Sequence, residues 1–89
     1  MRSIFWTNQF KKDFKRAQTQ GKDIEALRDV ITILARGERL PEKFKDHPLH
    51  GDWSHHRDCH IKPDWVLIYR IEGNSLILER MGSHSELFR

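Results

Sequence analysis

The sequence predicts an α+β fold with the element order β-α-α-β-β-β: a curved, mainly antiparallel sheet with a helical hairpin packed on one face. Three observations carry that expectation. The first half repeats apolar residues at helical spacing in two segments separated by a glycine. The second half holds three strand-like runs with turn residues between them. Within it, WVLIYRI (65–71) is almost continuously apolar, as a central strand covered on at least part of both faces would be.

The elements follow in order. SIFW (3–6) is a short strand. Thr7 or Asn8 caps the helix after it, where Phe10, Phe14 and Ala17 share one side and Lys11, Lys12, Lys15 and Arg16 the other. Gly21 ends this helix, and Asp23 caps a second whose apolar stripe is Ile24, Leu27, Val30, Ile31 and Leu34. Gly37 and Pro41 mark its end. The short link QGKD makes the two an antiparallel hairpin. Residues 41–56 are polar, contain two prolines and a glycine, and read as a loop. Strands over 56–61, 65–72 and 75–81 follow, joined at Pro63-Asp64 and Gly73-Asn74. SHSELF (83–88) suits a closing helical turn capped by Ser83 or Ser85.

The 89 residues fit one domain spanning 1–89, and five Phe and three Trp supply a core without staples. A single cysteine, Cys59, excludes an internal disulfide framework and fits a reducing cytosol. The opening apolar run is too short for a signal peptide and no stretch is long enough to span a bilayer, so the expected setting is cytoplasmic, away from membranes. Lys and Arg outnumber Asp and Glu, 16 to 13, a mild excess that favours polyanionic partners without identifying one.

Chemistry-bearing residues gather at one end of the predicted sheet. The Pro63-Asp64 turn puts His60 and Asp64 there, and the last strand returns Arg80 and His84 to the same end, with His47 in the preceding loop. Such a set suits cleavage of RNA by its own 2′-hydroxyl: one proton leaves that hydroxyl, another reaches the 5′-oxygen, and the transition state needs positive charge. Histidine serves at either end near neutrality, and Arg80 could fork two phosphate oxygens. Trp65 and Phe88 offer faces for an unpaired base. Each residue also has a structural explanation. His47 could satisfy a loop carbonyl, Asp64 is an ordinary turn residue, and Trp65 opening an apolar strand is more often core. Arg80 could be a paired charge and Phe88 a core lid.

His50, His55, His56, Cys59 and His60 raise the question of zinc, but their spacing matches no closed ligand set, and no metal or other cofactor is expected. Cys59, mid-strand beside Asp58, is a poor nucleophile candidate.

The stretches FKDHPLHGDW (44–53), RDCHIKPDWVLIYRI (57–71) and LERMGSHSELF (78–88) resemble the YafQ branch of the RelE/ParE toxin superfamily, and the likeness extends over essentially the whole chain. The resemblance implies a bacterial type II toxin that cleaves messenger RNA on the translating ribosome without a metal. It implies neutralisation by a DinJ-like antitoxin, in a complex with two copies of each protein. Transferred position by position, the family's active-site residues fall on His47, His60, Asp64, Trp65, Arg80, His84 and Phe88; His50, His55 and His56 lie outside the pattern. Two other functions compete with this one. A ParE-like toxin that poisons gyrase lacks a full histidine set, and an inactive RNA-binding module has no need of His84.

Overall fold

In the computed structural model, which describes residues 1–88, the chain forms one five-stranded sheet with its two long helices on one side. The strands are β1 (Ser3–Trp6), β2 (His47–Pro48), β3 (Arg57–Lys62), β4 (Trp65–Glu72) and β5 (Ser75–Gly82), in the spatial order β1-β5-β4-β3-β2. The helices are α1 (Asn8–Thr19), α2 (Ile24–Ala35) and a single closing turn, α3 (His84–Leu87). The sheet is antiparallel except that β1 pairs parallel to β5. The stretch expected to be only loop contains β2 and two 3-10 turns, Glu42–Phe44 and Gly51–Trp53. The hydrogen-bonding capacity of two strand residues is too short a signal to appear in hydropathy.

β4 sits at the centre because both its faces are apolar. Trp65, Leu67 and Tyr69 enter the main core, where Phe10 and Ala17 of α1 and Leu27, Val30 and Leu34 of α2 cover the sheet. Val66 and Ile68 point the other way into a smaller core completed by Leu87 of α3 and, from the loop, Leu49 and Trp53. This second cluster holds the loop and the C-terminal turn against the same sheet face. The helix starts follow local chemistry: the Thr7 side chain accepts from Phe10 N at 3.0 Å and Asp23 from Ala26 N at 3.2 Å. Ser83 and Glu86 form a reciprocal capping box at α3, with Ser83 N donating to Glu86 Oε1 at 2.8 Å.

A β-bulge decides what β5 presents. Tyr69 pairs with Leu78 but Ile68 pairs with Arg80, so Glu79 is the extra residue. Strict alternation would put Leu78 and Arg80 on one face. With the bulge, Leu78 stays in the main core while Arg80 shares the opposite face with Ile68.

Phe10 is fully buried and meets Trp6 edge to face, with ring centroids 4.9 Å apart. Replacing it with Ala should cost about 3–5 kcal/mol, a large share of the stability of a domain this size. The shift of the urea midpoint, with the slope unchanged, measures the loss.

Candidate active site

Two cross-strand rows form the floor of the site on the face away from α1 and α2. One runs His47–Asp58–Ile68–Arg80 across β2, β3, β4 and β5; the other runs His60–Val66–Gly82. Directly paired residues point to the same side, so His47, His60 and Arg80 share this face. At a strand spacing of about 4.8 Å, the outer two backbones of the first row lie roughly 14 Å apart. The aliphatic floor of Val66 and Ile68 separates them. Gly82 lets α3 turn back tightly over the strand end: a Cβ there would approach Glu86 Oε1 to 3.0 Å, the oxygen that closes the capping box.

That turn delivers His84. Asp64 Oδ1 accepts from both His84 Nδ1, at 2.7 Å, and His84 backbone N, at 3.1 Å. These bonds hold the exposed Asp64 carboxyl below its ordinary pKa and fix the ring's proton on Nδ1. Nε2 is then left to act on a substrate. The His60 ring stands edge-on to His84, centroids 4.9 Å apart, and His47 lies 6.5 Å from His60. Burial, and then the neighbouring His84, push the His60 pKa down, which favours the neutral form of that ring.

His47 is oriented by two groups that sequence reasoning did not single out. Its Nδ1 lies 2.8 Å from the Lys45 carbonyl and 3.0 Å from Asp58 Oδ1. Lys45 adopts a left-handed backbone, φ 51°, which directs that carbonyl back at the ring. Asp58 is 2% exposed, and its Oδ1 has no hydrogen-bond donor among the described residues. The His47 contact is therefore a close approach rather than a well-aligned hydrogen bond, and becomes an ion pair when the ring is protonated. Burial raises the Asp58 pKa, opposed by His47, His60 and His84. Asp58 and His60 are two apart on β3 and therefore on one face, the only signal in the sequence that could have marked Asp58. Asp46, next to His47, accepts from Tyr69 Oη at 2.5 Å and Arg57 Nε at 3.2 Å, which anchors the approach to β2.

Of the other expected site residues, Phe88 is partly exposed and its ring centroid lies 6.2 Å from His84. Trp65 is in the main core, 3% exposed. Its ring has no open face for a base; it anchors the Pro63-Asp64 corner from beneath. Arg80 reaches the edge of the sheet, where its guanidinium forks onto Asp13 of α1. His56 is committed elsewhere, with Nε2 2.8 Å from Glu79 Oε2 and its ring edge-on to Trp53. Cys59 is fully buried and its thiol pKa is pushed up by that burial, which removes it as a nucleophile. Among the described residues, no group of three or more His, Cys, Asp or Glu side chains is arranged to hold a metal ion.

Fold and site together define a small α+β protein whose exposed sheet face carries oriented imidazoles beside an arginine, equipment for acid–base chemistry on an anionic substrate. A family model described as bacterial toxin of type II toxin-antitoxin system, YafQ, matches residues 2–89. The mRNA interferase toxin YafQ of Escherichia coli (strain K12) is 43% identical over 88 residues, 98% of this chain and 96% of that protein. The crystal structure of YafQ from E. coli strain BL21(DE3) superposes with a TM-score of 0.94 at 41% identity, covering 100% of both chains. A crystal structure of the E. coli DinJ–YafQ complex gives 0.93 at 42% identity, again covering 100% of both. The chain belongs to the YafQ family of bacterial toxins of type II toxin–antitoxin systems.

The lowered His60 pKa has a consequence for stability. Below its ordinary value of 6.5 the unfolded chain takes up this proton before the folded one, so stability present above 6.5 is lost as the pH falls through it toward the folded value. His60→Gln removes that contribution. Urea midpoints measured at about pH 7.5 and about pH 5.5 should differ less in the variant than in the wild type.

Proposed function

We propose that this toxin is a ribosome-dependent endoribonuclease that blocks translation by cutting messenger RNA at the substrate's own 2′-hydroxyl. The observation that carries this reading is the Asp64–His84 pair at 2.7 Å, set against His60 at 4.9 Å with Arg80 on the same sheet face. With its Nδ1 proton held by Asp64, His84 presents the Nε2 lone pair to the 2′-hydroxyl and takes its proton. The 2′-oxygen attacks the adjacent phosphorus and the bond to the 5′-oxygen breaks. His47, its Nδ1 fixed by Lys45 and Asp58, is oriented to deliver a proton from Nε2 to that leaving oxygen. Arg80 and the N–H of His60 face the charge that gathers on the non-bridging oxygens. Phe88 supplies the aromatic face beside the scissile position. The products are a 2′,3′-cyclic phosphate and a 5′-hydroxyl, and no step calls for a metal.

The E. coli relatives are named mRNA interferase toxins, which supports the substrate. Cleavage on ribosomes places the activity in the cytoplasm; no described helix is long and apolar enough to cross a membrane. The E. coli protein is crystallised with DinJ, and a DinJ-like antitoxin is the partner we assign here, in a complex with two copies of each chain. The exposed Lys11, Lys12, Lys15 and Arg16 side of α1 would draw an acidic segment of such a partner.

The chemistry is tested with purified toxin, ribosomes and a defined message. His84→Ala should slow cleavage by ~10²-fold or more while the fold is kept. A message with a single 2′-deoxy nucleotide at the cut site should survive there; scission at that position would refute the nucleophile. Chelator in excess should leave the rate unchanged wherever the ribosomes themselves stay intact.

A further inference from the structure

Asp13 lies on the lysine-rich helix α1, outside the histidine cluster, yet it is 2% exposed. A carboxylate is buried to this degree only with full hydrogen bonding. Here five donors converge on it. Oδ2 accepts from Arg80 Nε at 3.1 Å and from Met81 backbone N at 3.0 Å. Oδ1 accepts from Arg80 Nη2 at 3.1 Å, Gln9 Nε2 at 3.2 Å and Arg16 Nη2 at 3.3 Å. The place is determined by topology. β1 ends opposite Leu78, with Thr7 N donating to the Leu78 carbonyl, so β5 beyond that point has lost its neighbour and α1 takes over the edge. Asp13 satisfies the Met81 N–H that β1 no longer reaches. In the same contact it grips the side chain that the Glu79 bulge has turned toward the site face.

A guanidinium held by its Nε and Nη2 edge is fixed in plane and in direction. Its Nη1 corner, which has no protein partner among the described residues, and the outer edge shared by Nη1 and Nη2 are turned away from Asp13. That outer edge still offers two parallel N–H groups, the geometry that a phosphate accepts in bidentate fashion. The same helix braces the opposite side of the site. Arg16 bridges from Asp13 to Glu86 Oε2 at 3.5 Å, and Glu86 closes the capping box from which His84 projects.

We propose that Asp13 is a positioning residue for RNA cleavage: it clamps Arg80 edge-on so that the free guanidinium edge meets the non-bridging phosphate oxygens in the transition state. The proposal rests on the ribonuclease reading above. It separates positioning from mere structural support, because an anchor for α1 alone would affect stability and leave the chemical step of folded protein untouched.

The test measures single-turnover cleavage of a defined message on purified ribosomes, as a function of toxin concentration, so that the saturating rate and the half-saturating concentration are obtained separately. Asp13→Asn keeps an acceptor for Met81 N but loses the fork onto Arg80. Its saturating rate should fall by ~10- to 100-fold, the scale of a misplaced charge-bearing group, with half-saturation changed less than about twofold. In an Arg80→Ala background the same substitution should cause no further loss, since Asp13 acts through Arg80. Should Asp13→Asn fail to fold, Asp13→Glu keeps the buried anion while displacing the guanidinium by about one methylene, and should show the same loss of saturating rate. Folded Asp13 variants cutting at the wild-type rate, or losses that multiply in the Arg80→Ala background, overturn the proposal. A wild-type protein that leaves the message intact refutes the ribonuclease reading itself. Full activity in Arg80→Ala, with wild-type cleavage present, refutes the role of Arg80 and with it the clamp.

Discussion

Burying β4 on both faces sets a requirement that a one-sided sheet escapes, because a second apolar cover must be found after the helical hairpin has taken the first. The chain has little left to build it from. Leu49 and Trp53 come from the loop and Leu87 from the last helical turn, and these three close over Val66 and Ile68. The segments recruited as cover are the ones that carry His47 and His84. Packing on this face and assembly of the site are therefore one event, and a substitution that loosens the small core also loosens the histidines above it.

Three imidazoles at this separation cannot all be charged at little cost. Two unit charges 4.9 Å apart, the distance between the His60 and His84 rings, repel by about 3 kcal/mol at an effective dielectric of about 20. The structure resolves the conflict by giving each outer ring its own acidic partner, Asp58 for His47 and Asp64 for His84, and leaving the middle one without. His60 accordingly moves toward the neutral form. A lysine in its place would carry a fixed charge between the two outer rings.

Much of this was legible in the sequence because apolar periodicity reports burial directly. The two helices and the central place of WVLIY follow from it. Capping chemistry named Asp23 and left Thr7 or Asn8, and Ser83 or Ser85, for the structure to decide in favour of Thr7 and Ser83. The seven site residues were candidates from the predicted topology, the family resemblance decided for their functional reading, and the structure brings His47, His60, Asp64 and His84 together. What the sequence concealed was geometry that depends on a single backbone residue. The bulge at Glu79 reverses the facing of Arg80, and nothing in SLILERMG announces it. Trp65 was open to two readings, base platform or core, and only the register puts it on the helix side. Asp13 and Asp58 were hidden differently. Each stands among charged neighbours in the chain, where a solvated carboxylate is the ordinary expectation, and each is buried by elements distant in sequence.

The placement of these two acids shows how a small scaffold can hold polar chemistry rigidly. Neither faces solvent, so neither competes with the substrate phosphate by presenting negative charge at the open surface. Each lies behind a cation-forming group, where a low local dielectric strengthens the contact and fixes its direction. Placed at the rim, the same carboxylates would be screened by salt within about 10 Å and would repel the RNA backbone. Arg80 makes the point most clearly. Its ion pair with Asp13 also caps the Met81 N–H at the open end of β5, so the contact that aims the guanidinium is the one that closes the sheet edge. The helical hairpin is thus more than a lid on the core: through Asp13 and Arg16 it reaches around that edge and holds both the arginine and the turn that carries His84.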